Sequence, residues 1–331
     1  MKEQGMHLKH SLGALLAAAL AVCAAGAPAF AQDWPNRPIR VINPYAPGGP
    51  SDAMVRMLAE GMGAELGQPL IVESKPGGGT VIGAGFVAKA PADGYTLLLA
   101  TVAPLVLQPA INPALPYDAH KDFAPVGLFG SVPNLISVHP SVAVHNLKEL
   151  VEAARAEPGK LNYASAGPGT GPHLGGELFS RMANIKLTHV PYAGAAPAVL
   201  GVLGGQVQVS WVNITPQIAH VKSGKLRAIA LGSAQRSAVF PDVPTVAESG
   251  YAGYVSESWN GVVAPAGTPR PVIAKLAAAM AKVMATARAK EALNTIGALN
   301  ISAGPDEFAA YIRDDEKRLV PIIKSLNLSN N

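Results

Sequence analysis

Short apolar runs typical of β-strands alternate with helical patterns along most of the chain, and this alternation constrains the fold more than any other feature. In the first part, strands are predicted at 39–43, 70–73 and 96–100, with a helix at 81–89 between the last two. Another helix follows the first strand, with Ser51 and Asp52 predicted at its N-cap and Gly67 at its end. The order βαβαβ predicts a parallel sheet.

The alternation breaks after residue 100 and resumes as a second unit. Asn146 to Glu149 resembles a capping box that opens a helix. Extended stretches are predicted at 124–130, 135–138 and 259–263, strands at 161–164, 187–190, 207–211 and 227–231, and helices at 172–183, 272–287 and 305–325, the last kinked or broken near Pro321. Two α/β units joined by two extended crossings predict an α/β fold of two domains with a two-segment hinge and a cleft. The predicted domains are 32–131 with 257–331, and 132–256.

The N-terminus has the pattern of a secretory signal. Lys2 and Lys9 precede an apolar run at 12–25, and the small-x-small sequence 29–31 follows it. The signal peptide is therefore predicted at 1–31, with cleavage leaving 300 residues from Gln32 and a periplasmic protein.

Two alternatives concern the same segment. The apolar run is short for a membrane span, which needs about 20 residues. Lipid attachment at Cys23 is disfavoured because Val22 stands where a lipoprotein signal has Gly, Ala or Ser. Cys23 is the only cysteine, so the mature chain is predicted to contain no disulfide.

Charge and composition exclude one large class of function. The net charge is +4, only 15% of residues are charged, and no stripe of Lys and Arg is present. Nucleic acid is therefore not predicted as a partner.

Three strand-to-helix turns are rich in glycine and lead into small or hydroxylated residues. Such turns present unpaired backbone N–H groups at the positive end of a helix dipole, which suits an anion, although each alone could be an ordinary tight turn. They are PYAPGGPSD at 44–52, KPGGGT at 75–80 and SAGPGTGP at 165–172.

Phosphate-binding signatures are absent from these turns. No glycine-lysine pair stands in a P-loop frame, and Gly77 and Gly79 are followed by Ile82 where a dinucleotide fingerprint needs glycine. No cofactor is predicted. A carboxylate fits better, because a few N–H and hydroxyl donors can hold it.

A serine hydrolase is the enzymatic alternative. Ser165 lies at a strand-to-helix turn, but Tyr163 replaces the first glycine of a nucleophile elbow. The chain order required for a triad leaves only Glu177 as the acid, with His173, His189 and His220 as candidate bases.

Metal sites are also not predicted. His145 with Glu149, and His173 with Glu177, are spaced i,i+4 on predicted helices, but each pair lacks a third ligand.

The glycine turns belong to a set of segments that together resemble one family. The sequence is similar to the Bug receptors, the TctC-like extracytoplasmic solute-binding proteins of tripartite tricarboxylate transporters. The matching segments cover nearly the whole mature chain and are WPNRPIRVINPYAPGGPSD (34–52), AELGQPLIVESKPGGGTVIGA (64–84), PADGYTLLLAT (91–101), GKLNYASAGPGTGPHLGGELF (159–179), HVPYAGAAPA (189–198), VLGGQVQV (202–209), SGKLRAIA (223–230), FPDVPTVAESG (240–250) and SWNGVVAPAGTP (258–269).

The resemblance implies a type II-like periplasmic binding protein that acts as a monomer and is not an enzyme. It would capture a small carboxylate and deliver it to the large and small membrane subunits of a transporter. The implied contacts in the first domain are Tyr45, Ala46, Pro47, Gly48, Gly49, Ser51, Asp52, Gly78, Gly79, Thr80 and Thr101. Those in the second domain and the returning crossover are Ser165, Ala166, Gly167, Gly169, Thr170, Tyr192, Gly194, Ala195, Asn213 and Trp259.

One departure from the family concerns Val212, where many relatives have an acidic residue. A cationic group on the ligand would lose its partner there. The resemblance therefore implies ligands without an ammonium group.

Overall fold

Three parallel strands form the first part of the sheet in the computed structural model, which describes residues 34–168 and 170–325. Strand β1 (Ile39–Asn43) lies between β2 (Leu70–Ser74) and β3 (Thr96–Ala100) and is parallel to both. The βαβαβ prediction is therefore confirmed. The predicted signal peptide 1–31, with Cys23, lies outside the described residues, as do Gln32 and Gly169.

One long strand, β4 (Phe123–Val138), replaces the two separate stretches predicted at 124–130 and 135–138. Its first part pairs antiparallel with β9 (Glu257–Pro265), which in turn pairs with β3. The pairing register shifts twice along β4, so the apolar pattern is interrupted although the strand continues.

The second part of β4 belongs to another group of strands. It pairs antiparallel with β7 (Val209–Asn213) and β8 (Arg227–Leu231). Strand β5 (Asn162–Ser165) is parallel to both β7 and β6 (Thr188–Pro191). The order along the sheet is β2-β1-β3-β9-β4-β7-β5-β6, with β8 paired to β4 off this path.

The helices cover the faces of these strands. Most were predicted, but α3, α6, α7 and α9 were not. Within the described residues they are α1 (Pro50–Leu66), α2 (Val81–Ala88), α3 (Gln108–Ile111), α4 (Leu147–Ala156), α5 (Gly171–Met182), α6 (Ala195–Leu203), α7 (Ile218–Lys222), α8 (Arg270–Ala285), α9 (Ala287–Thr295) and α10 (Pro305–Ser325).

Helix α1 begins one residue earlier than the predicted N-cap at Ser51 and Asp52. Gly49 is the N-cap and Pro50 the first helical residue, because proline has a helical φ and needs no N–H partner at that position. Gly67 ends the helix as predicted, with φ 71° and its N–H donated to the carbonyl of Gly63.

Helix α10 continues through Pro321, so the predicted break is wrong. Leu319, before the proline, and Ile322 and Ile323, after it, are all buried. This apolar packing compensates for the backbone hydrogen bond that proline cannot make.

The core consists of three apolar clusters on the two faces of the sheet. The largest side chains buried in them include Trp211, Trp259, Tyr163, Phe179 and Phe308. The fold is mixed α/β, as predicted, and the division into two domains stays a prediction. No helix within 34–168 and 170–325 is long and apolar enough to span a membrane.

Candidate functional site

A cavity of about 810 Å³ opens where the carboxyl ends of the parallel strands meet. Ligands of open α/β sheets bind at such ends. Its walls come from the loops after β1, β2, β3 and β5, and from β4, β7 and β9. The lining residues are Pro44, Tyr45, Ala46, Pro50, Ser51, Pro76, Gly77, Gly79, Thr80, Thr101, Val102, Ala103, Leu107, Gln108, Ile111, Val132, Ala166, Pro168, Thr170, Gly171, Pro172, Asn213 and Ser258.

The loop between β1 and α1 is held by a buried carboxylate. Asp52 accepts hydrogen bonds from Asn43 Nδ2 (2.9 Å), Gly48 N (3.0 Å) and Arg56 Nε (3.0 Å). Burial acts to raise the pKa of Asp52, but the bonds from Arg56, Gly48 and Asn43 outweigh it and hold the pKa below its usual value. Asp52 therefore stays ionised, and it shapes the loop without lining the cavity.

Tyr45 and Thr101 form a hydroxyl pair on the wall beside this loop. Their oxygens are 2.5 Å apart, and the Tyr45 N–H donates to Asn43 Oδ1 at 3.0 Å. Burial raises the pKa of Tyr45 to about 12, although the bond with Thr101 acts in the opposite direction. The phenol is therefore neutral at physiological pH and presents a polar group without charge.

The loop between β2 and α2 contains the most unusual backbone of the cavity. Gly77, Gly79 and Thr80 have φ values of 126°, 60° and 88°. Positive φ is strained for a β-branched residue such as Thr80, and such strain clusters at functional sites. The Thr80 Oγ1 is buried, has no hydrogen-bond partner in the described part of the chain, and belongs to a lining residue. Its hydrogen-bonding capacity is therefore unused, in a residue of the cavity wall.

The loop between β5 and α5 forms the opposite wall. Thr170 is the N-cap of α5, and its hydroxyl donates to the carbonyl of Gly167 at 2.8 Å. Ala166 and Pro168 line the cavity beside it. The Ser165 Oγ accepts from Gly167 N at 3.1 Å and stabilises the turn from behind, fully buried.

Several predicted site residues do not line the cavity. Tyr192 packs its ring against Gly201 of α6. Trp259 is fully buried against Phe308 and donates from Nε1 to Asp315 Oδ2 at 2.8 Å. The remaining predicted residues outside the lining are Pro47, Gly48, Gly49, Asp52, Gly78, Ser165, Gly167, Gly194 and Ala195, and ligand contact by any of them stays a prediction.

Sequence reasoning missed one entire wall. The segment after β3 forms a π-helical turn, Ala103–Leu107, which leads into α3. Val102, Ala103, Leu107, Gln108 and Ile111 line the cavity from it. The apolar run at 102–107, which follows the predicted strand at 96–100, was the sequence signal that could have indicated this wall. Ser258 was also missed, although it stands in the segment SWNG, next to the predicted Trp259.

Among the described residues that line the cavity, none is Asp, Glu, Lys, Arg or His. Its polar groups are hydroxyls, amides and backbone groups, and residues at the start of α1 (Pro50, Ser51) and α5 (Thr170, Gly171) face it. Helix N-termini carry partial positive charge, so the cavity favours an anion without a fixed cation. Among residues 34–168 and 170–325, no group of three His, Cys, Asp or Glu side chains could hold a metal.

Ser165 does have a histidine partner. Its Oγ lies 2.6 Å from His189 Nε2, and the His189 ring stacks on that of His173 with centroids 3.9 Å apart. Burial lowers the pKa of each histidine to about 4. The pair resembles a nucleophile and its base, but Ser165 is fully buried and outside the cavity lining.

A sheet with a neutral, anion-favouring cavity at its strand ends defines the class of α/β solute-binding proteins. The family model described as "Tripartite tricarboxylate transporter family receptor" matches residues 54–328, and the chain belongs to this family. BugT of Bordetella pertussis is 37% identical over 306 residues, which are 92% of this chain and 94% of BugT.

Solved structures agree with this assignment. The periplasmic binding protein BugD is 34% identical with a TM-score of 0.73, and the match covers 89% of this chain and 99% of BugD. An R. palustris protein solved with adipate is 31% identical with a TM-score of 0.77, over 90% and 99% of the two chains. MatC from Rhodopseudomonas palustris, solved with malate, is 31% identical with a TM-score of 0.72, over 88% and 100%.

Proposed function

We propose that this protein is a periplasmic receptor that captures a small carboxylate in the 810 Å³ cavity and delivers it to the two membrane subunits of a tripartite transporter. The observation that carries the proposal is the chemistry of the cavity wall. Within the described part of the chain it combines two helix starts, a lining without charged side chains and a buried, unpartnered hydroxyl on Thr80. The relatives solved with adipate and malate support the same ligand class.

A carboxylate would be held by neutral donors from both sides of the cavity. On one side stand Thr80, Ser51 and the Tyr45–Thr101 pair, and on the other the start of α5 near Thr170. Each hydrogen bond to a charged group contributes roughly 1.5 to 3 kcal/mol. Several together can reach about micromolar affinity after the costs of association.

Export and delivery follow from the same proposal. The chain would be cleaved before Gln32 and act as a monomer in the periplasm. Intact mass of the exported protein checks the cleavage, and a lipidated Cys23 would contradict it.

The experiment that tests the ligand class is calorimetry of the purified protein against succinate, adipate, malate and aromatic monocarboxylates. Thr80→Val removes the unpartnered hydroxyl while keeping the branched shape, and should weaken binding about tenfold or more. Thr80→Ser keeps the hydroxyl and is the matched control. Absence of binding to every carboxylate in the panel would refute the proposal.

A serine hydrolase remains the alternative favoured by the 2.6 Å contact between Ser165 and His189. We propose that the chain binds without reacting, because a fully buried hydroxyl cannot reach a substrate in the cavity. No turnover of ester substrates is expected. Turnover that disappears in Ser165→Ala would establish the alternative.

A further inference from the structure

Four polar side chains form a hydrogen-bonded row where β4, β7 and β9 meet the cavity. Asn134 Nδ2 donates to Ser256 Oγ at 2.6 Å. Asn213 Nδ2 donates to Asn134 Oδ1 and to Ser258 Oγ, each at 3.0 Å. Asn134 and Ser256 are buried behind the cavity, whereas Asn213 and Ser258 line it.

The backbone determines which way the amides point. Asn213 Nδ2 lies 3.4 Å from the carbonyl oxygen of Val132, which can only accept a hydrogen. The Asn213 atom on that side is therefore the nitrogen, and the Asn134 atom facing it is the oxygen. The donor and acceptor positions along the row follow from this one carbonyl.

The two ends of the row that reach the cavity have unused hydrogen-bonding capacity. The two Asn213 Nδ2 hydrogens are shared among Asn134 Oδ1, Ser258 Oγ and, at the longer distance of 3.4 Å, the Val132 carbonyl, and Asn213 Oδ1 accepts no hydrogen bond in the described part of the chain. Ser258 Oγ accepts from Asn213, so its own hydrogen is free, and no described residue accepts it. The cavity floor thus presents one donor, Ser258 O–H, beside one acceptor, Asn213 Oδ1.

We infer that the ligand is a 2-hydroxycarboxylate, with its carboxylate on the Ser258 hydroxyl and its hydroxyl hydrogen donated to Asn213 Oδ1. The inference rests on the proposed function, which supplies the carboxylate. A 2-hydroxy acid carries an acceptor and a donor on neighbouring carbons, which matches a donor and an acceptor separated by one amide group. A plain carboxylate would leave Asn213 Oδ1 desolvated and unpaired, which is costly.

The donor on the ligand is a hydroxyl and not an ammonium. An ammonium group taken out of water requires an anionic partner, and none of the described lining residues is Asp or Glu. Val212, beside Asn213, is fully buried and apolar. Relatives solved with adipate, which lacks a hydroxyl, and malate, which has one, leave this choice open at the level of the family.

The experiment compares ligands that differ by one hydroxyl, using calorimetry on the purified protein. The pairs are malate with succinate and 2-hydroxyglutarate with glutarate, and aspartate is added as the amino counterpart of malate. The hydroxy member should bind about tenfold more tightly than its partner. Equal binding within the pairs, or tighter binding of aspartate, overturns the inference while leaving the proposed function intact. No binding of any of these acids, or of the wider carboxylate panel, refutes both.

Two variants separate the roles of the pair. Asn213→Ala should reduce the ratio of affinities between the hydroxy acid and its partner in each pair to less than about threefold, because the acceptor is gone. Ser258→Ala should weaken both members about equally and preserve the ratio. An affinity ratio in Asn213→Ala as large as in the wild type overturns the inference. If Asn213→Ala does not fold, the same ratio is measured in Asn213→Ser and compared with that of the wild type.

Discussion

At the scale of single residues, the site depends on neutral groups placed by buried neighbours. Asp52 is ionised, and its carboxylate accepts hydrogen bonds from Asn43, Gly48 and Arg56. It therefore shapes the loop after β1 without lining the cavity. Thr80 lies at φ 88° with an unpartnered hydroxyl. A conformation that local energetics disfavour is thus found in a residue of the cavity wall, as strained backbone often is at functional sites.

Gly79 tests how much the positive φ of this loop matters. Gly79→Ala should lower the free energy of unfolding by about 1 kcal/mol, because φ is 60° and a Cβ would overlap the side-chain amide of Gln108. It should also weaken carboxylate binding. Gly63→Ala, at an α-helical position of α1 where the new Cβ would make only ordinary van der Waals contacts of 3.5 Å or more, is the control and should be as stable as wild type or more so. Denaturant unfolding measures both, and equal stability of the two variants would contradict the expectation.

The stacked histidines predict a dependence of stability on pH. The pKa of His173 and of His189 is lowered to about 4 in the folded state, so the unfolded chain binds more protons between about pH 6.5 and 4. Their contribution is fully present above about pH 6.5 and is lost as the pH falls toward 4. Thermal unfolding temperatures should therefore decline across this window.

Substitution separates this effect from general acid unfolding. His173→Gln should reduce the slope of the unfolding temperature between pH 6.5 and 4. His145→Gln, on an exposed histidine, should leave the slope unchanged. Identical slopes in the two variants would show that the buried pair does not cause the decline.

At the scale of elements, caps and packing determine where each helix starts and ends. The predicted capping box at α4 is confirmed in part: Asn146 Oδ1 accepts from Glu149 N at 3.0 Å, whereas Glu149 Oε2 accepts from His145 N at 2.7 Å and not from the N–H of Asn146. The same bonds explain the His145 and Glu149 spacing without a metal. Local sequence was sufficient here because both partners lie within one turn.

Asn146→Ala should destabilise the protein by about 1 kcal/mol, because the Glu149 N–H at the start of α4 loses its partner. Denaturant unfolding at constant m-value gives the difference. Lys148→Ala, on the exposed side of the same helix, is the control and should change stability by less than about 0.5 kcal/mol. A loss of the same size in both variants would contradict the capping role.

At the scale of the whole molecule, β4 and β9 connect the two groups of parallel strands. β4 pairs with β9 through Pro133 and with β7 from Asn134 onward, so one strand takes part in both groups. The cavity lies at this junction, with walls from both groups. Such an arrangement would allow the predicted domains 32–131 with 257–331, and 132–256, to close on a ligand.

Closure predicts a smaller radius of gyration when a carboxylate is bound. Small-angle scattering of the protein with and without a saturating ligand measures it, and Ser258→Ala at a non-saturating concentration should show a smaller change. An unchanged radius with binding proven by calorimetry would argue against closure.

The sequence by itself determined most of the elements and the class of protein, because glycine turns, caps and apolar periodicity act over a few residues. Strand β8 has the predicted bounds, Arg227–Leu231, and the family follows from segments spread along the chain. The three glycine turns were predicted from their residues alone to suit an anion, and residues of each of them line the cavity.

Only the tertiary structure decided which residues line the cavity. Trp259 lies beside Ser258 in the sequence, yet on a strand neighbouring side chains face opposite ways, so Ser258 lines the cavity and Trp259 is buried in the core. The wall at Ala103–Leu107 and the pairing of Asn213 with Asn134 join segments distant in the chain. Such contacts depend on how the strands pair, and local sequence does not encode that pairing.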